Sequence, residues 1–123
     1  MSATVAVVED NADNRLLLQA LLGDAYTLVE FESGTDALDA FARSRPDLVL
    51  LDISLPGMDG TEILQRIRAD AALRTLPVIA LTAHAMAGDR EKFLAAGFDD
   101  YLTKPIVDET KLFAAIDRLL TQR

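Results

Sequence analysis

The chain has 123 residues, half of them hydrophobic, and a formal net charge of −8 at pH 7. That length suits one domain, expected over 1–123, that needs no disulfides, and the chain contains no cysteine. The acidic charge argues against nucleic-acid binding, because phosphate backbones are bound by clustered Lys and Arg. No signal peptide opens the chain and no apolar run approaches the ~18 residues of a membrane helix, so a cytoplasmic protein is expected.

The first half of the chain predicts two strands, each followed by a helix. A β-branched run at 4–8 predicts the first strand, and apolar residues at helical spacing follow it. A second strand is expected at 26–31, before a helix whose start is marked by Ser33 and Asp36. In the first helix Leu16 falls outside the apolar arc, so we expect it to be exposed.

The third strand is predicted by the run Leu48-Val49-Leu50-Leu51. Because this run lacks polar alternation, it is typical of a strand buried on both faces of a parallel sheet. It ends at Asp52, and Asp59 with Glu62 marks the start of the next helix. The remaining elements are expected as a strand at 78–81 that runs into Thr82, a helix within 86–96, a short strand at 100–102 and a helix at about 109–121.

Strands that alternate with helices predict an α/β fold, a doubly wound (βα)5 flavodoxin-like three-layer sandwich with a parallel five-stranded sheet. Five strands suit the order 2-1-3-4-5, in which strands one and three are neighbours. This order brings Glu9 and Asp10 beside Asp52. Thr82 and Lys104, which follow strands four and five, are expected on the other side of Asp52.

Three carboxylates at one sheet edge need a positive partner, since two unit charges about 4 Å apart repel by about 4 kcal/mol at an effective dielectric of 20. Protonation of one acid would relieve this repulsion, but Mg²⁺ relieves it without loss of charge and favours carboxylates, water and a phosphate as ligands. Lys104, Thr82 and backbone N–H groups near Gly57 and Gly60 are candidate partners for that phosphate. In such a site an ionised aspartate can attack phosphorus and form an acyl phosphate.

Three other functions fit parts of this pattern. Nucleotide binding is a common use of the fold, but the first strand-to-helix turn, 9–14, has no glycine and three acids that would repel a pyrophosphate. An aspartate-nucleophile phosphohydrolase would resemble Asp-x-Asp, and Ser54 occupies the place of its second acid. A scaffold that never takes phosphate is the third alternative, and the intact set of acids argues against it.

Four short segments lie at the ends of the predicted strands and together span the chain. They are Val8-Glu9-Asp10-Asn11, the stretch 47–59 around Asp52, Leu81-Thr82-Ala83, and Lys104-Pro105. As a set they resemble the receiver domain of bacterial two-component response regulators. The segment 82–92 further resembles receivers of hybrid histidine kinases and of single-domain cell-cycle regulators.

The resemblance implies that Asp52 is the phosphoacceptor. It implies that the side chains of Asp10 and Asp52 and the backbone carbonyl of Ser54 bind Mg²⁺, with Glu9 reaching the ion through water. Ser54 and His84 occupy positions that vary among receivers and influence the lifetime of the acyl phosphate.

The same resemblance implies roles for residues at the ends of strands four and five. Thr82, the Ala83 amide and Lys104 would contact the phosphoryl group, and the Lys104–Pro105 peptide would be cis. Tyr101 matches an aromatic residue that moves inward when the threonine engages phosphate.

The function expected from this resemblance is a phosphorylation-gated switch rather than an enzyme. A phosphohistidine of a histidine kinase or histidine phosphotransfer protein would donate to Asp52, and the surface of the fourth helix, fifth strand and fifth helix would report the change. Because the chain ends after its last helix, we expect output through contact with a downstream protein. The resemblance also allows a homodimer, and Leu16 is a candidate for the kinase docking surface.

Overall fold

The computed structural model describes residues 3–55, 57–83, 89–104 and 109–121. Within these ranges the chain forms one parallel sheet in the order β2-β1-β3-β4-β5, which confirms the predicted fold. None of the helices described has the length and apolar character needed to cross a membrane. The elements are β1 (Thr4–Val8), α1 (Ala12–Leu22), β2 (Thr27–Phe31), α2 (Gly34–Arg43), β3 (Leu48–Asp52), α3 (Gly60–Ala69), β4 (Val78–Thr82), α4 (Asp89–Ala96), β5 (Asp100–Thr103) and α5 (Glu109–Thr121).

The strand boundaries differ from the predicted ones by a single residue. β2 begins one residue later than predicted, because the N–H of Tyr26 donates to the Leu22 carbonyl at the end of α1. β5 extends one residue further, to Thr103, which pairs with Thr82 of β4. α4 is described from Asp89 onward, and the first part of the predicted helix, 86–88, lies outside the described residues.

The sheet buries side chains on both of its faces. All five residues of β3 are buried, as the run of apolar residues predicts for a central strand. Alternate strand residues pack against α1 and α5, and the intervening ones pack against α2 and α3. Leu16 is 66% exposed, which confirms the prediction for α1. The strand residues facing α1 and α5 are Val5, Val7, Leu48, Leu50, Ile79 and Leu81.

Arg68, in the last turn of α3, forms hydrogen bonds with three parts of the chain. These contacts lie at the amino ends of the strands, opposite to the end that carries Asp52. Its guanidinium donates to the carbonyls of Leu76 at 2.7 Å and Gly97 at 2.9 Å, and it pairs with Asp99 at 2.9 Å. The same Asp99 carboxylate accepts the N–H of Val78 at the start of β4. Arg68 therefore joins α3 to the start of β4 and to the turn after α4.

We expect the substitution Arg68→Met to lower the free energy of unfolding by about 2–3 kcal/mol, because hydrogen bonds to charged groups contribute about 1.5–3 kcal/mol. The matched control is Arg66→Met, since Arg66 lies on the exposed face of the same helix and, within the described residues, has an ion pair with Glu62 at 3.4 Å and with no other acid. That control should stay within about 0.5 kcal/mol of the parent. Urea unfolding measures both changes, and equal losses would contradict this role of Arg68.

Candidate functional site

The strand register brings the predicted site residues to one edge of the sheet. Val8 pairs with Leu51, so the residues that follow them, Glu9 and Asp52, lie side by side at the carboxyl ends of β1 and β3. On the other side of β3, Asp52 itself pairs with Leu81 of β4. The carboxyl ends of β1 and β3 therefore converge as the sheet order predicts.

Asp52 is 2% exposed, and both oxygens of its carboxylate accept hydrogen bonds. Oδ1 accepts the N–H of Ser54 at 2.9 Å, which closes the turn after β3. Oδ2 accepts from the Lys104 ammonium at 2.9 Å, and the same Nζ lies 3.2 Å from Oε2 of Glu9. Lys104 thus bridges two buried carboxylates that come from different strands.

Glu9 is fully buried where β1 ends. Its Oε1 accepts the N–H of Asn11 at 3.2 Å and, at 3.4 Å, the side-chain amide of Asn14. Burial raises the pKa of Glu9 above its ordinary value, and the charge of Asp52 raises it further. The Asn11 hydrogen bond and the charge of Lys104 act in the opposite direction and only partly offset this rise.

Lys104 reaches the cluster because the N–H of its own backbone donates to the Thr82 carbonyl at 2.7 Å, just beyond β5. Burial acts to lower the pKa of its ammonium group. The hydrogen bond and charge of Asp52, together with those of Glu9, outweigh burial and raise this pKa above its ordinary value. The ammonium group therefore remains charged at neutral pH.

Asp10 completes a group of three acids. It is exposed, and an oxygen of its carboxylate lies within 4.8 Å of oxygens from Glu9 and Asp52. Three carboxylates against the single ammonium of Lys104 leave two negative charges uncompensated when all are ionised. Hard oxygen donors with an excess of two negative charges fit a divalent cation such as Mg²⁺.

Thr82, Ala83 and Tyr101 belong to β4, the residue after it, and β5, and Tyr101 pairs with Ala80 of β4. Thr82 is buried at the end of β4, the strand next to β3, and Ala83 follows it at the surface. Tyr101 is half-buried, and its ring centroid lies 5.6 Å from that of Phe93 in α4. The two remaining residues that the resemblance singles out, His84 and Pro105, lie outside the described residues, as does the peptide bond expected to be cis.

The turn after Asp52 contains one hydrogen bond that was not predicted. Among the backbone N–H groups near Gly57 and Gly60 that were predicted as partners of a phosphate, that of Gly60 itself donates to the Ile53 carbonyl at 3.2 Å. Gly60 also has a steric role, because a Cβ there would come within 2.5 Å of the Cα of Ile53 and 2.9 Å of the Asp52 carbonyl. Its lack of a side chain lets α3 begin directly against the backbone of the acidic cluster.

Two side chains near Glu9 were not predicted from the sequence. Asn14 contacts the Glu9 carboxylate, and Arg15 donates from Nη1 to the Glu9 backbone carbonyl at 2.7 Å. Both residues belong to the start of α1, where helical side chains lean toward the N-terminus and so toward the end of β1. Their position in the first turn of a predicted helix indicates that they lie near the end of β1, but it does not indicate which atoms they contact.

Comparison with known proteins identifies the family. The sequence pattern of the response regulator receiver domain matches residues 5–117. The chain is 41% identical over 107 residues to the polar-differentiation response regulator DivK of Brucella ovis, covering 86% of this chain and 87% of DivK. It is 48% identical over 106 residues to the sensor protein GacS of Pseudomonas syringae pv. syringae, covering 83% of this chain but only 12% of GacS.

Solved structures give the same assignment. The receiver domain of the sensor histidine kinase PA1611 from Pseudomonas aeruginosa PAO1 superposes with a TM-score of 0.88 at 36% identity, covering 98% of this chain and 99% of that one. That crystal structure has a magnesium ion coordinated in its active-site cleft. The chain therefore belongs to the response regulator receiver domain family, whose members are phosphoacceptor switches of two-component signalling.

We expect Glu9→Gln to raise the free energy of unfolding in metal-free buffer at neutral pH by more than about 0.5 kcal/mol, the usual range of surface substitutions. Because the pKa of Glu9 is raised on folding, its ionised form opposes folding above that pKa, and a neutral amide removes the opposition. Glu91→Gln, at an exposed position of α4, is the control. Chemical unfolding with a chelator present measures both, and a loss of stability in Glu9→Gln would contradict the electrostatic account.

Proposed function

We propose that Asp52 is the phosphoacceptor of a receiver domain formed by residues 1–123. The observation that carries this proposal is the convergence of three carboxylates and one ammonium at the carboxyl end of the sheet. Asp52 is the one member of this set that contacts Lys104 and also leads into the β3–α3 turn. It thus has a charge partner for an incoming phosphoryl group and a turn whose conformation can respond to it.

In this proposal the acidic cluster binds Mg²⁺. The ligands would be the side chains of Asp10 and Asp52 and the backbone carbonyl of Ser54, with Glu9 reaching the ion through water. The magnesium ion reported for the PA1611 receiver supports this assignment, as does the charge excess of the cluster. Bound Mg²⁺ neutralises phosphoryl oxygens that would otherwise be repelled by the carboxylates.

The proposed chemical step is attack of an Asp52 carboxylate oxygen on the phosphorus of a phosphohistidine. The new O–P bond forms as the P–N bond breaks, and the electron pair of that bond returns to the imidazole nitrogen. No general base is needed, because the nucleophile is already ionised. Lys104 neutralises charge on the transferred group, and Thr82 with the Ala83 amide donates hydrogen bonds to it.

Switching in this proposal follows from the added charge. A phosphoryl group must favour the active state by about 5.5 kcal/mol to move the populations from 1:99 to 99:1. Two or three charge-assisted hydrogen bonds of about 1.5–3 kcal/mol each, from Thr82 and Lys104, supply that difference. Tyr101, which contacts Phe93 of α4, would move inward and transmit the change to the surface of α4, β5 and α5.

The partners follow from the same proposal. The donor is a histidine kinase or histidine phosphotransfer protein, and the exposed Leu16 on α1 is part of the docking surface for it. The surface of α4, β5 and α5 serves a downstream protein or a second copy of the chain. The chain spans 12% of the sensor protein GacS and of the signal transduction histidine-protein kinase BarA of Shigella flexneri, but 87% of DivK. The partners are proposed from both kinds of relative. We assign the receiver to the cytoplasm, where such domains generally work.

A steady phosphohydrolase is disfavoured by the residue two positions after Asp52. Such an enzyme needs a second acid there for proton transfer, and Ser54 has none. The proposed activity is therefore uptake of one phosphoryl group and slow loss of it, without continuous turnover of phosphate esters.

Incubation with acetyl phosphate and Mg²⁺ is expected to add one phosphoryl group to the protein, detected by intact mass. Asp52→Asn should abolish this addition, because an amide is not a nucleophile toward phosphorus. Asp13→Asn, which neutralises an exposed acid in the first turn of α1, is the control and should be modified as the parent is. Phosphoryl uptake by Asp52→Asn at the parent level would refute the assignment.

A further inference from the structure

Arg15 makes two contacts that link the acidic cluster to the loop after β2. Its side chain is only 16% exposed. Nη1 donates to the backbone carbonyl of Glu9 at 2.7 Å, and Nη2 pairs with Oε1 of the exposed Glu32 at 3.1 Å. A guanidinium group can donate in two fixed directions at once, which makes arginine suited to bridge these two acceptors.

The carbonyl that Arg15 contacts belongs to the peptide unit between Glu9 and Asp10. Because a peptide unit is planar, fixing this oxygen also fixes the orientation of the Asp10 N–H and the backbone torsions on either side. Those torsions set the directions in which the Glu9 and Asp10 side chains leave the backbone. One hydrogen bond therefore constrains two of the three acids in the cluster.

Other contacts restrain Glu9 through different groups. The N–H of Glu9 donates to the Phe31 carbonyl at 3.0 Å, which fixes the preceding peptide unit. The Glu9 carboxylate is held by Lys104 and by the N–H of Asn11. Among these contacts, only that of Arg15 acts on the peptide carbonyl between the two acids.

We propose that Arg15 is a positioning residue that orients the Glu9–Asp10 peptide so that both carboxylates face a bound divalent cation. This inference rests on the proposed Mg²⁺ site. Arg15 does not contact the ion in this arrangement, and it acts through the peptide that joins Glu9 to the proposed ligand Asp10. Partners that orient metal ligands in this way commonly change metal affinity by about 10–100-fold when they are removed.

The charge of Arg15 allows its positioning role to be separated from electrostatics. A positive charge near a cation site weakens binding of the cation, so removal of the Arg15 charge alone would strengthen Mg²⁺ binding. Loss of positioning would weaken it. The two effects have opposite signs, and the direction of the change identifies which one dominates.

The test is the Mg²⁺ dissociation constant of the folded protein, measured by isothermal titration calorimetry at fixed ionic strength. We expect Arg15→Met to weaken binding by about tenfold. Arg15→Lys should recover most of the affinity, because an ammonium group can still donate to the Glu9 carbonyl. Glu32→Gln, which removes the ion pair but leaves the carbonyl contact, should bind as the parent does.

Arg68→Met controls for a general loss of stability, since Arg68 also donates to backbone carbonyls but lies at the opposite edge of the sheet. It should leave the Mg²⁺ dissociation constant unchanged. Binding by Arg15→Met that equals or exceeds that of the parent would overturn the inference, as would equal weakening in Arg68→Met.

A metal-free measurement separates failure of this inference from failure of the proposed function. Hydrogen exchange of the Asn11 amide, which donates to Glu9, should become severalfold faster in Arg15→Met and remain unchanged in Glu32→Gln. Parent protein that binds no Mg²⁺ would refute the proposed metal site, whereas unchanged exchange in Arg15→Met would refute the role of Arg15.

Discussion

The ammonium of Lys104 lies 2.9 Å from Asp52 and 3.2 Å from Glu9, and the rest of the site depends on this three-membered ion cluster. Its two carboxylates are buried, so water does not solvate their charges. The ammonium of Lys104 compensates part of their negative charge, and the nearby carboxylate of Asp10 adds further negative charge. The remaining negative charge fits a divalent cation, and the proposed phosphoryl transfer to Asp52 depends on that cation.

The topology of the sheet is what makes this cluster possible. With the order β2-β1-β3-β4-β5, the acids at the ends of β1 and β3 become neighbours, and Lys104 arrives from beyond β5. Residues 9, 52 and 104 are distant in sequence, yet parallel pairing directs all of them to one edge. The helices return the chain to the opposite edge and cover the two faces of the sheet.

The sequence predicted the elements and the three acids because each is encoded locally. The apolar run of β3 is fully buried, and a capping side chain begins α2 and α3 where Ser33 and Asp59 were expected to do so. The hydrogen bond of the Gly60 N–H was not predicted, since a turn rich in glycine does not reveal which carbonyl an N–H will meet. Arg15 was missed because its acceptor is a backbone carbonyl, and any amino acid at position 9 would present the same carbonyl.

The central claim is that the acids of Glu9, Asp10 and Asp52 together bind one divalent cation in the folded state. The most direct measurement is the free energy of unfolding as a function of Mg²⁺ concentration, with NaCl at matched ionic strength as the reference. The account predicts that above the dissociation constant stability rises by about 1.4 kcal/mol for each tenfold increase in Mg²⁺, as for one bound ion, and that Asp10→Asn loses most of this rise. Stability that is indifferent to Mg²⁺, or that rises equally in Asp10→Asn, would contradict it.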